Sequence, residues 1–177
     1  MAMSPALEKI LAAKRANPYS DEKSIDELRT EHRAGGAAVP LPEGTTWEAV
    51  DAGGVPAEWI ACGSPTSGKV FLFIHGGGYY RGSAAATRST AARISAVSGM
   101  RCLSIDYRLA PENTFPAAIN DTYTSYKWLL DQGVTPADIV VGGISAGGGL
   151  TLALLLKLKE TGKNQPAGAV PMSAWTD

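Results

Sequence analysis

The sequence predicts an α/β fold in which a mostly parallel sheet is covered by helices on both faces. Two observations carry this. Four short runs, 70–74, 102–105, 139–141 and 167–172, are apolar but for Ser104, as strands buried on both faces tend to be. Helix-like stretches at 84–97, 116–132 and 146–159 separate them, and strand–helix alternation is the signature of parallel βαβ units.

Residues 1–46 read as a charged, helix-prone arm. Leu7, Ile10 and Leu11, then Ile25 and Leu28, fall at helical spacing. Pro18-Tyr19-Ser20-Asp21 breaks the arm in two, and Ser24 is placed to cap its second helix. Pro40, Pro42 and Gly44 mark its exit. Residues 47–177 form the core. Trp47–Val50 and Ala57–Ile60 alternate like an antiparallel pair joined across Gly53-Gly54. The four buried strands and their helices follow.

Two segments carry chemistry. His75-Gly76-Gly77-Gly78 directly follows the first buried strand. Gly143-Ile144-Ser145-Ala146-Gly147 follows the third and opens a helix. A serine on such a strand-to-helix turn projects its hydroxyl above the sheet, which makes Ser145 the candidate nucleophile. Side chains two residues to either side would collide, hence Gly143 and Gly147. The N–H of Ala146 lies at a helix N-terminus, where unpaired donors favour negative charge. Gly77 and Gly78 add further N–H groups, with Gly76 giving the loop its freedom, so that an oxyanion hole can form. Tyr79 and Tyr80 are candidates for lining the substrate pocket. His75 ends a strand ahead of the nucleophile and reads as a support of the oxyanion loop. His32 reads as a surface or packing histidine. Arg108, Glu112 and Asp121 read as a buried polar network behind the site.

With these segments the chain resembles the hormone-sensitive-lipase-like α/β-hydrolases, the bacterial family IV carboxylesterases. Asp106-Tyr107-Arg108-Leu109-Ala110-Pro111-Glu112, Phe115-Pro116-Ala117-Ala118-Ile119-Asn120-Asp121 and Ser173-Ala174-Trp175-Thr176-Asp177 resemble further family segments, in register from about Trp47 to the last residue. The resemblance implies an α/β-hydrolase fold reaching just past the family's sixth strand, with the N-terminal arm forming part of a cap. It also implies a serine esterase acting on short to medium acyl esters through an acyl-enzyme, without metal or cofactor. Two alternatives stand beside this: an amidase or peptidase on the same fold, and a non-catalytic, receptor-like ligand binder.

The sequence departs from the family in three places. Ile144 precedes the nucleophile where Asp or Thr is usual, and Thr87-Arg88 stands where His-Arg is common. The family's triad order is Ser, then Asp or Glu, then His. The only histidines are His32 and His75, both ahead of Ser145. The expectation is therefore an N-terminal portion, active only with a complementary C-terminal fragment that carries the acid and the histidine.

Composition narrows the partners. A formal net charge of −1 and the absence of a basic patch argue against nucleic acid. No apolar run is long enough to span a membrane, and residues 1–23 lack a signal-peptide core, so a cytoplasmic location is expected. Cys62 and Cys102 have no metal or redox spacing and read as reduced. The expected ligand is a small-molecule ester; a homodimer stays open.

Overall fold

A computed structural model describes residues 3–16 and 23–176. The expected break at Pro18-Tyr19-Ser20-Asp21 lies outside the described residues. Helix α1 spans Pro5–Ala16 and α2 spans Ile25–Ala37. The α2 N-terminus is closed by a reciprocal cap. The Ser24 N–H donates to the Glu27 carboxylate at 2.8 Å, and the Glu27 N–H donates to the Ser24 hydroxyl at 3.3 Å.

Strands β1 (Thr45–Asp51) and β2 (Pro56–Cys62) pair antiparallel, Trp47 facing Ile60 in register. Then follow β3 (Val70–Ile74), α3 (Ala84–Ser98), β4 (Arg101–Ile105), α4 (Ala117–Asp131), β5 (Ile139–Ile144), α5 (Ala146–Glu160) and β6 (Gly168–Met172). These bounds lie within a residue or two of the expected ones, except that β5 runs on through Gly142 and Gly143 to the turn that carries Ser145. The sheet order is β1-β2-β4-β3-β5-β6, with β4, β3, β5 and β6 parallel to their neighbours in that run. Only β2 runs against the other strands, pairing antiparallel with both β1 and β4.

Alternate residues of each buried strand feed opposite layers. Leu72, Ile74, Leu103, Ile105 and Val141 face one layer, closed by Tyr126 and Leu129 of α4 and Leu150, Leu154 and Leu158 of α5. Phe71, Phe73, Ile60 and Cys102 face the other, closed by Ala91 and Ala92 of α3. Both faces of β3 are thus dry, which is why its sequence shows no alternation. Burial pushes the Cys102 thiol up to about 12, so it stays protonated and inert.

β6 is different. It pairs with β5 along one side only and forms the sheet edge, with Ala169, Val170 and Pro171 exposed. Proline, without an N–H, suits that edge. The parallel sheet brings the C-terminal ends of β3 and β5 side by side, Ile74 opposite Gly143 in register. The two glycine-bearing turns therefore emerge together, 70 residues apart in sequence order but adjacent in space.

Candidate active site

Ser145 sits between the last residue of β5 and the first of α5, with φ 55° and ψ −115°. A side chain in this region is strained by roughly 1–3 kcal/mol and persists only where its surroundings over-determine it. Here they do. The Ser145 N–H donates to the Met172 carbonyl at 3.0 Å, and its carbonyl accepts from the N–H groups of Gly149 and Trp175, each at 3.0 Å. The chain leaving β6 therefore clamps the turn from one side.

The other side is clamped by close packing. A Cβ on Gly143 would lie 2.6 Å from the Ile74 carbonyl oxygen, and one on Gly147 would lie 2.6 Å from the His75 carbonyl oxygen. Both contacts are with backbone, which cannot swing away. The glycines flanking Ser145 thus let β5 and α5 close directly onto β3.

The glycine loop lies alongside. A Cβ on Gly76 would approach the Ser145 Cβ at 3.3 Å, so the loop runs directly against that side chain. The Gly77 carbonyl accepts from the N–H groups of Tyr80 at 3.3 Å and Arg81 at 3.1 Å, folding the loop into a tight turn. That turn leaves the N–H groups of Gly77 and Gly78 without a partner among the described residues. The Ala146 N–H, at the first position of α5, has no intrahelical acceptor either. Three candidate donors therefore border one serine.

His75 is fully buried and does not line this cavity. Its Nδ1 lies 2.8 Å from the Gly76 carbonyl, and its ring stacks on Tyr107 with centroids 4.3 Å apart. The Tyr107 hydroxyl in turn donates to the His75 carbonyl at 3.1 Å. Burial pulls the imidazole down to about 4, so it is neutral at pH 7 and donates from Nδ1. This folded value lies below the ordinary 6.5, so on acidification the unfolded chain takes up the proton first. The stability contribution is complete above about 6.5 and is lost as pH falls through 4. Its size is about 3 kcal/mol at 1.36 kcal/mol per pH unit. Urea titrations should accordingly show His75→Asn losing less stability than the wild type between pH 6.5 and pH 4. Parallel losses in the two proteins would refute this role of burial.

A cavity of about 310 Å³ opens over Ser145, lined by the three loop glycines, Tyr80, Arg81, Thr87, Ile144 and His32. The two expected pocket tyrosines part company. Tyr80 faces this cavity, whereas Tyr79, at φ 66°, turns away to pack on Trp175 with centroids 5.7 Å apart. Tyr79 instead lines a separate apolar cavity of about 410 Å³, with Phe115, Leu150 and Ala153. Ile144, in place of the usual polar residue, adds an apolar wall.

Two further expectations change. Arg108, Glu112 and Asp121 do not form one buried network. Arg108 pairs with the buried Asp121 at 2.7 Å, and both Arg108 and Glu112 are more than half exposed. Glu112 is held instead by Arg29 of α2, at 2.8 and 2.7 Å, which keeps its carboxyl at about 2. The same guanidinium donates to the carbonyls of Tyr80 at 2.7 Å and Ala110 at 2.9 Å. Arg29 therefore fastens α2 to the glycine loop, a role that sequence spacing did not reveal. The second change follows from the first. His32, one helical turn beyond Arg29, lies in the wall of the Ser145 cavity rather than at a remote surface.

Residues 71–177 match the α/β-hydrolase fold family. The chain belongs to that family. Within it, the relatives place the chain in the hormone-sensitive-lipase-like group. An esterase of the bacterial hormone-sensitive lipase family is 40% identical with a TM-score of 0.91, covering 100% of this chain and 60% of its own. EstE5, in a structure soaked with p-nitrophenyl butyrate, is 37% identical with a TM-score of 0.90, covering 99% and 60%. An acetyl-hydrolase of Streptomyces hygroscopicus is 32% identical over 177 residues, 98% of this chain and 58% of its own length. The chain thus spans about 60% of the length of these three relatives.

Proposed function

We propose that this chain carries the nucleophile and oxyanion hole of a serine carboxylesterase for short to medium acyl esters. The observation that supports it best is Ser145, held in strained backbone geometry beside three N–H groups that have no partner in the described fold. The names of its relatives, esterase and acetyl-hydrolase, point the same way. In this reading the Ser145 Oγ attacks the ester carbonyl and the carbonyl C–O π bond opens to an oxyanion. The N–H groups of Gly77, Gly78 and Ala146 stabilise that charge. Collapse expels the alcohol, and water then hydrolyses the acyl-enzyme. A cavity of about 310 Å³ suits a small acyl or alcohol group.

Attack needs a base to take the hydroxyl proton. His75 is buried behind the loop and bonded to Gly76, and His32 makes no hydrogen bond to Ser145. The base and its carboxylate partner therefore come, in this proposal, from polypeptide outside these 177 residues, laid along the open β6 edge. Helices α1 and α2 serve as part of a cap over the site. A fluorophosphonate probe tests the assignment: in the full-length protein it should label Ser145. Labelling at another residue would overturn it.

The cap contact is open to a separate test. Arg29→Met removes the guanidinium that joins α2 to the glycine loop and Glu112. We expect KM for a short acyl ester to rise about threefold to tenfold with a smaller change in kcat, because binding rather than charge stabilisation is weakened. A loss confined to kcat would contradict the anchoring role.

A further inference from the structure

The cavity over Ser145 is lined by two residues, His32 and Arg81, that the hydrolytic steps do not use. His32 Nδ1 and Arg81 Nε are both buried and lack a hydrogen-bond partner among the described residues. Arg29, Arg88, Arg101 and Arg108 each pair with a carboxylate. Arg81 has no carboxylate within ion-pair distance among the described residues; its guanidinium carbon lies 5.3 Å from the Tyr80 ring centroid. Among the described residues Arg15, Arg33 and Arg93 likewise form no ion pair, but none of them lines this cavity. Native folds rarely leave buried donors unpaired, so His32 and Arg81, which line the cavity, keep spare donor capacity that a ligand can use.

Elsewhere in the wall, the Gly77 and Gly78 N–H groups and Ser145 serve the proposed hydrolysis. The Thr87 hydroxyl donates to the Ser83 carbonyl at 2.9 Å, the Tyr80 carbonyl accepts from Arg29, and Ile144 is apolar. Burial, and then the positive charge of Arg81, lower the His32 pKa and favour its uncharged form, so the pair presents the Arg81 cation beside an imidazole. The group that matches them is acceptor-only, anionic and has two oxygens: a carboxylate.

We propose that Arg81 and His32 form a carboxylate subsite beside Ser145, so that the preferred substrates are esters bearing a free carboxylate besides the scissile bond. This rests on the esterase reading above. The carboxylate can lie on the acyl side, as in a half-ester of a dicarboxylic acid, or on the alcohol side, as in an acylated hydroxy acid. Guanidinium recognition serves both.

Two measurements on the full-length protein test it. Hydrolysis is followed by pH-stat for ethyl hydrogen succinate against ethyl butyrate, and for O-butyrylglycolate against O-butyrylglycolamide. In Arg81→Met the ratio of kcat/KM, charged over neutral, should fall at least tenfold in one of the two pairs, and that pair identifies the side. Arg81→Lys, which keeps the charge but not the fork, should recover part of the ratio. A role in packing alone would lower both members of each pair together. Ratios within twofold of wild type in both pairs would overturn the proposal. The second measurement does not depend on turnover. The His32 imidazole proton signal, assigned with His32→Gln, should shift and saturate on titration with ethyl hydrogen succinate in Ser145→Ala. The shift should vanish when Arg81→Met is added. A saturable shift with no hydrolysis of any ester by the Ser145-bearing protein would leave the subsite standing and sink the esterase reading. Hydrolysis without the shift would do the reverse.

Discussion

Ser145→Gly should abolish ester hydrolysis while raising the melting temperature of the protein. The loss follows from the proposed covalent step: with no hydroxyl there is no acyl-enzyme, and removing a hydrolase nucleophile costs roughly 10⁴–10⁶-fold in kcat. The gain follows from the backbone. At φ 55° and ψ −115° a serine is strained, and glycine reaches this region without a Cβ penalty. Strain relief of roughly 1–3 kcal/mol is set against about 0.5–1 kcal/mol for the extra freedom of glycine in the unfolded chain. The Ser145 hydroxyl makes no cap hydrogen bond to α5, so no such bond is forfeited. The net gain is about 1 kcal/mol, which corresponds to a rise of about 2–4 °C. Calorimetry checks it. A melting temperature lowered by the substitution would mean that the serine side chain contributes packing that outweighs the strain. Retained hydrolysis would remove Ser145 from the mechanism.

The same turn explains what could be read from the sequence and what could not. The buried strands were legible because each is short and almost wholly apolar, and the turn because Gly143 and Gly147 flank a serine at strand-to-helix spacing. Those signals are local. The placement of His32 is not local: it depends on Arg29 reaching Tyr80, Ala110 and Glu112, which lie 51, 81 and 83 residues away. No periodicity in α2 announces that contact. The split between Tyr79 and Tyr80 had the same cause at smaller scale. Neighbouring residues in an extended loop would be expected to share a region, but the left-handed backbone at Tyr79 reverses the direction of its side chain. Likewise Arg108, Glu112 and Asp121 looked like one network because they are close in sequence, whereas α2 supplies the partner that Glu112 uses. Alternation in β1 and β2 gave their pairing, but the order of β4 and β3 follows from crossover connections that no single strand encodes.

Gly77→Ala should lower kcat by roughly 10²–10³-fold while moving KM little. Gly77 has φ 129°, which an L residue rarely adopts, and a Cβ there would lie 2.6 Å from the Arg81 carbonyl carbon and against its oxygen. The neighbour is backbone, so the loop rather than a side chain must move. Two consequences follow from one displacement. The Tyr80 and Arg81 N–H groups lose their acceptor geometry at the Gly77 carbonyl, and the Gly77 and Gly78 N–H groups no longer point where a tetrahedral oxygen would sit. Charge develops on that oxygen only as the nucleophile attacks, so the lost hydrogen bond is a transition-state interaction of about 3–4 kcal/mol, not a ground-state one. Substrate binding, which draws on the cavity walls at Tyr80, Thr87 and Ile144, is affected less. The alternative, that these glycines only make a turn, predicts a different pattern. Displacing a mere turn would disturb the cavity floor and raise KM at least as much as it lowers kcat. Steady-state kinetics of Gly77→Ala on a short acyl ester, with circular dichroism to establish that the sheet is intact, separates the two. A tenfold rise in KM at unaltered kcat would remove Gly77 from the oxyanion hole and leave Gly78 and Ala146 to supply it.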